Sequence, residues 1–94
     1  MSARRIILTL FTSRTCSICN EAKLSLDRVR KKIPFDLEQK DIYEPDNRQW
    51  LEQYKYDIPV LHMNNQFLFQ HWIKEDKLEN VLRKYRETGI IEQS

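Results

Sequence analysis

Ninety-four residues, 40% of them hydrophobic and 32% charged, describe one soluble domain with room for a single modest core. A net charge of +2 is too small and too evenly spread to build a nucleic-acid-binding face, and no run of about 18 apolar residues exists to span a membrane. Gly89 is the only glycine, which excludes the glycine-rich phosphate loops of nucleotide and dinucleotide sites.

Met1 to Arg5 is too short to hold a signal or transit peptide, although Arg4-Arg5 is compatible with a trimmed import sequence. With two cysteines the chain is not a disulfide scaffold, so a cytoplasmic setting is expected, with the mitochondrial matrix as the alternative. The run Ile6-Ile7-Leu8-Thr9-Leu10-Phe11 reads as a buried first strand, and Ser13-Arg14-Thr15 as the turn and cap region after it. A helix follows from about Cys16 to Lys31, with the core stripe Ile18, Ala22, Leu26, Val29 and Ile33; Pro34 bars its extension. Arg28, Arg30, Lys31 and Lys32 fall in its last turns, where cations complement the helix dipole at a solvated end.

Phe35 to Ile42 is predicted as a second strand, and Glu44-Pro45-Asp46-Asn47 as a turn leading to a short helix over Arg48 to Tyr54. Ile58-Pro59 opens a third strand through Met63, Asn64-Asn65 is a hairpin turn, and Phe67 to Trp72 returns as a fourth strand. The last helix is expected to begin at Asp76, with Glu79 completing a capping box, and to bury Leu78, Val81, Leu82 and Tyr85. The order is therefore β-α-β-α-β-β-α. Its first two strands run parallel through a right-handed crossover, and its last two form an antiparallel hairpin. The expected class is α/β, a four-stranded mixed sheet with helices on both faces, in one domain over 1–94 with its core at about 6–86.

The chemistry concentrates in Cys16 and Cys19. A cysteine that opens a helix has its sulfur among unpaired backbone N–H groups at the positive end of the dipole, which favours an anion. Such surroundings lower a thiol pKa from about 8.5 into the range of roughly 3.5 to 7.5. Cys19, one turn on, is close enough to close a disulfide and lies on the inward side beside Ala22, so one thiol is accessible and the other sheltered. The implied chemistry is thiol–disulfide exchange; a pair of inert buried thiols is the competing reading. Structural zinc is disfavoured because the only further ligands, His62 and His71, stand singly on the hairpin strands and read as ordinary sheet residues. Trp50, Phe67, Phe69 and Trp72 likewise read as core or half-buried sheet side chains.

Four landmarks together resemble the thioredoxin superfamily, and within it the small glutaredoxin-like group. They are a strand ending in Phe11-Thr12, the Cys16-Ser17-Ile18-Cys19 motif, Ile58-Pro59-Val60 opening the third strand, and the Asn64-Asn65 hairpin. The resemblance spans about Ile6 to Tyr85. It implies a cis Ile58-Pro59 bond facing the cysteines, with the Ile58 backbone presented to an extended substrate segment. It also implies a Cys16 nucleophile, a Cys19 resolving thiol, and protein or glutathione mixed disulfides as substrates. Glutathione or a thioredoxin-type system would be the reductant, with no cofactor bound and the chain acting as a monomer.

Several residues depart from the family pattern. Glutaredoxins carry a Gly-Gly pair after the fourth strand, where this chain reads Leu68-Phe69-Gln70-His71-Trp72-Ile73, with no glycine. The usual Lys ahead of the first cysteine is Ser13, with Arg14 beside it as the candidate anion contact and a solvated charge as the competing reading. The usual Pro-Tyr between the cysteines is Ser17-Ile18. Asp76 is a candidate remnant of the acidic group that holds glutathione, although helix capping also accounts for it. These departures argue against a well-formed glutathione site. They favour, as an alternative, a redox-inactive adaptor of the same fold that docks a partner peptide beside Pro59.

Overall fold

The computed structural model describes residues 4–92. The elements are β1 (Ile7–Thr12), α1 (Ser17–Lys32), β2 (Asp36–Asp41), α2 (Arg48–Tyr54), β3 (Val60–Met63), β4 (Gln66–Gln70) and α3 (Glu75–Thr88), with one 3-10 turn over Pro45–Asn47 leading into α2. The sheet order is β2-β1-β3-β4. β1 runs parallel to β2 and antiparallel to β3, and β3 and β4 form the hairpin. This is the expected architecture.

β1 is central because its side chains serve both faces. Leu8 and Leu10 point to one side with their partners Met63 and Leu61, and pack under Ala22, Leu26 and Val29 of α1 and Leu78, Val81 and Leu82 of α3. Phe11 and its partner Val60 point to the other side and pack with Ile42 and Tyr54 under α2. β2 sits at the edge, and its charged residues Asp36, Glu38, Lys40 and Asp41 suit a strand whose outer backbone groups face water.

Three local expectations are corrected. The inward stripe of α1 begins at Cys19, which is fully buried, while Ile18 is only half-buried. The basic cluster is not merely a solvated helix end, since Arg28 reaches Glu75 (2.9 Å) and Lys32 reaches Glu79 (3.3 Å), tying α1 to α3. Those contacts also undo the capping box. α3 starts at Glu75 after Lys74, with no side-chain cap, and Asp76 lies inside the first turn accepting a hydrogen bond from the Lys77 N–H. Glu79 is committed to Arg83 and Lys32, whose hydrogen bonds hold its carboxyl below its usual pKa.

The hairpin turn takes the predicted form. Asn64 and Asn65 have φ of 49° and 70°, the two positive values of a type I′ turn. The two positions differ in their side chains. Asn64 Oδ1 accepts from the Ile7 N–H (2.9 Å), and its Nδ2 donates to the Arg5 carbonyl (3.2 Å) and the Tyr85 hydroxyl (3.1 Å). Asn65→Gly is therefore expected to be neutral or slightly stabilising. Asn64→Gly is expected to cost about 1 kcal/mol, despite glycine's ease in such turns, because the amide's hydrogen bonds are lost. Urea denaturation of the two variants decides this; equal midpoints would show that the amide of Asn64 contributes nothing.

Candidate functional site

β1 ends at Thr12, and Ser13-Arg14-Thr15 carries the chain to Cys16, the N-cap of α1. Cys16 has extended backbone (φ −95°, ψ 109°), and its Sγ accepts from the Cys19 N–H at 3.3 Å, so the sulfur occupies the place of a capping oxygen. The first turn of α1 carries no acidic side chain to oppose negative charge on that sulfur. Cys19 lies beneath it, 0% exposed, with Cα atoms 5.2 Å apart and the sulfurs joined in a disulfide. Cys16 is partly exposed. The asymmetry between an accessible and a sheltered sulfur is as expected.

The second part of the site comes from β3. Ile58-Pro59 is cis, as the resemblance implies. Phe11 pairs with Val60, so Pro59 stands at the end of the sheet where β1 hands over to the cysteine loop. Pro59 is buried, Ile58 is half-buried, and the Pro59 carbonyl accepts from the His71 N–H at 2.8 Å.

That last hydrogen bond brings in residues that sequence reasoning passed over. β4 stops at Gln70, short of the expected Trp72, because the chain turns sharply at His71. His71 has φ 64°, and the Trp72 N–H donates to the Gln70 carbonyl (2.8 Å), which makes a γ-turn of the positive-φ, strained kind. A non-glycine side chain there costs on the order of 1 kcal/mol. His71 is thus not a sheet residue, and Trp72, 62% exposed, is not a core one. Both line a cavity of about 310 Å³ with Ile18, Ala22 and Lys74, directly beside the cysteine motif. The available signal is positional: both lie in the stretch Leu68 to Ile73, the region where the resemblance leads one to expect glycine and this chain has none.

Arg14 is placed differently from a free anion contact. Its side chain is 85% exposed but pairs with Asp41 (3.7 Å) and Glu44 (3.5 Å), over a cavity of about 390 Å³ that Ser13, Thr15 and Tyr43 also line.

His62 belongs to the α2 face. Its Nε2 lies 2.8 Å from the Tyr54 hydroxyl, and its ring stands edge-on to Phe11, Trp50 and Tyr54. Burial pushes its pKa down, and burial followed by the nearby Asp57 charge pushes that of Tyr54 up. A histidine with a lowered folded-state pKa binds its proton more readily when unfolded. Its stabilising contribution is therefore present above the unfolded value near 6.5 and is lost as pH falls through the folded value. Stability measured by denaturant titration between about pH 7 and pH 4 is expected to fall along this limb, and the limb is expected to flatten in His62→Gln. An unchanged limb in the variant would assign the acid sensitivity elsewhere.

The fold and the helix-capping cysteine pair define a thioredoxin-like protein. Residues 7–83 match the model of the glutaredoxin-like domain family (DUF836), and the chain belongs to that family. The glutaredoxin-like protein YDR286C homolog of Dictyostelium discoideum is 34% identical over 89 residues, covering 86% of this chain and 82% of its own. Among solved structures, protein Ne2328 from Nitrosomonas europaea superposes with a TM-score of 0.72 at 25% identity, covering 87% of this chain and 96% of that one. A thioredoxin mutant from Halobacterium salinarum, at 16% identity, superposes with a TM-score of 0.68 over 88% of this chain and 76% of that one, a likeness of fold. Among the described residues no helix is long and apolar enough to cross a membrane.

Proposed function

We propose that this chain is a thiol–disulfide oxidoreductase acting on protein or glutathione mixed disulfides. One observation carries the reading: the Cys16 sulfur caps α1 and accepts the Cys19 N–H, with the Cys19 sulfur sheltered behind it. In the reduced protein the same N–H and the helix dipole favour the Cys16 thiolate, the form that attacks. Attack on a substrate disulfide forms a Cys16–substrate disulfide and releases one substrate thiolate. Cys19, deprotonated, then attacks the Cys16 sulfur, releases the second substrate thiolate and leaves the Cys16–Cys19 disulfide. Two electrons have passed to the substrate, and two thiols of glutathione or a thioredoxin-type system return them. The Ile58 backbone and Pro59 supply the docking edge, while Arg14, in the nucleophile's loop, is already paired with Asp41 and Glu44. Such a cycle suits a reducing compartment, the cytosol or the mitochondrial matrix.

The test is a redox titration of the purified protein in glutathione buffers, following Cys16 and Cys19 by alkylation and mass, paired with reduction of a glutathione mixed disulfide. A reversible two-electron transition with turnover is the expected result. A reversible transition without glutathione turnover would direct the search to another reductant or a dedicated protein substrate. Thiols that never cycle would overturn the reading and leave a peptide-docking adaptor.

A further inference from the structure

Tyr54, the last residue of α2, is held at two points. Its hydroxyl lies 2.8 Å from His62 Nε2 on β3, and its carbonyl accepts from the N–H groups of Asp57 (2.8 Å) and Ile58 (3.2 Å). The first contact ties α2 to the sheet. The second ties the segment ahead of the cis Ile58-Pro59 bond to α2. Seven residues are too few to hold a helix alone, so α2 and the segment after it depend on the side chains beneath them. Around His62 those are Phe11 from β1, Trp50 and Tyr54 from α2, and Phe67 from β4. The charged side chains of α2 are engaged elsewhere: Arg48 and Glu52 pair with each other at 3.6 Å, and Lys55, just after the helix, lies over the Tyr56 ring. The Asp57 charge acts on Tyr54, while burial alone disfavours charge on His62. A proton on this ring makes both nitrogens donors and puts a cation among aromatic side chains, with no carboxylate paired to it among the described residues.

We propose that His62 is an acid-sensitive latch: taking up a proton releases Tyr54 from β3, and α2 with the segment 55–59 opens as a local unit while α1 and its cysteines stay folded. The latch goes beyond the oxidoreductase reading and does not depend on it. Where that reading holds, the Pro59 edge of the site is ordered at neutral pH and open in acid. The open form takes its proton near the ordinary histidine value of 6.5, and the closed form only at a lower pH. His62 therefore supports closure fully above that value, and the support is lost as pH falls between the two.

The test is amide hydrogen exchange, followed by NMR from about pH 7.5 to about pH 5, each rate being divided by that of an unstructured amide at the same pH. The opening constants of the Asp57 and Ile58 amides are expected to rise at least about threefold over this range, and by at most about tenfold per pH unit. At every pH these amides are expected to be less protected than those of Leu26 and Val29 in α1, which marks the opening as local. His62→Gln, whose amide can bond the Tyr54 hydroxyl without titrating, should abolish the rise. His71→Gln should leave it intact, although His71 lies 3.6 Å from Asp57. An opening constant independent of pH would overturn the proposal. So would a rise that persists in His62→Gln or vanishes in His71→Gln, or protection at Asp57 and Ile58 equal to that in α1. If His62→Gln does not fold, the wild-type ring decides: the rise must level off below the midpoint at which His62 titrates by NMR, and a rise that continues past it refutes the latch. None of these readouts uses disulfide turnover, so failure of the oxidoreductase reading leaves the test intact.

Discussion

Cys16→Ser is expected to lower disulfide exchange by about 10³-fold or more, whereas Cys19→Ser keeps the first half-reaction and accumulates a mixed disulfide. The two outcomes differ because the two sulfurs differ. A serine hydroxyl at the N-cap can satisfy the Cys19 N–H as well as the sulfur does, so the helix start survives while the proposed nucleophile is gone. Cys19→Ser removes a buried group that touches no solvent, so Cys16 keeps its exposure and its helix end. Mass spectrometry after incubation with a substrate disulfide checks both. Cys19→Ser should gain the mass of one substrate half, and Cys16→Ser should gain none. The pH profile of iodoacetamide alkylation in Cys19→Ser should show a thiolate titrating below the ordinary value of about 8.5. Trapping on Cys19 in the Cys16→Ser protein would reverse the assigned roles.

Phe11→Ala is expected to cost about 3–5 kcal/mol, a large part of what a domain of this size has to spare. Phe11 is 1% exposed, and its ring centroid lies 4.6 Å from that of Trp50, 5.3 Å from Tyr54 and 4.7 Å from His62. The other face of the sheet has a larger cluster that can close around a loss. Here Ile42, Tyr54 and Val60 are the remaining buried members. α2 has seven residues, too few to hold a helix in isolation, so it depends on this cluster. Denaturant titration reads the global cost, and hydrogen exchange over 48–54 should show α2 loosening first. Phe11→Leu, which keeps most of the volume, should cost less than half as much. A Phe11→Ala protein within about 1 kcal/mol of wild type would show that α2 is held by something else.

Several parts of this molecule are legible residue by residue, and the reason is that their determinants are local. The apolar run of β1, the proline after α1 and the paired asparagines at positive φ each act on their own neighbourhood. The short helix over Arg48–Tyr54 has the bounds its sequence indicates, because Trp50, Leu51 and Tyr54 share one helical face beneath which Phe11 lies. The placement of Cys16 at a helix start is local in the same sense. A strand pattern gives way to a helical one, and the residue at the junction takes the cap.

The rest depended on partners distant in the chain. Periodicity gives a helix an apolar side, yet Ile18 and Cys19 are adjacent, and the packing of α1 over Leu10 and Leu61 determines which of them turns inward. α3 begins a residue before its best capping candidate because Glu75 pairs with Arg28, 47 positions earlier, and Glu79 with Lys32. Trp72 has the composition of a core residue and stands in water because the backbone reverses at His71. Read alone, then, the residues determined the element order, the sheet and the place of the cysteine pair at the start of α1, all of which follow from short-range hydrophobic pattern and turn chemistry. The tertiary structure alone decided the meeting of His71 with Asp57 and Pro59, since a contact between a turn after β4 and a loop before β3 leaves no periodic trace in either segment.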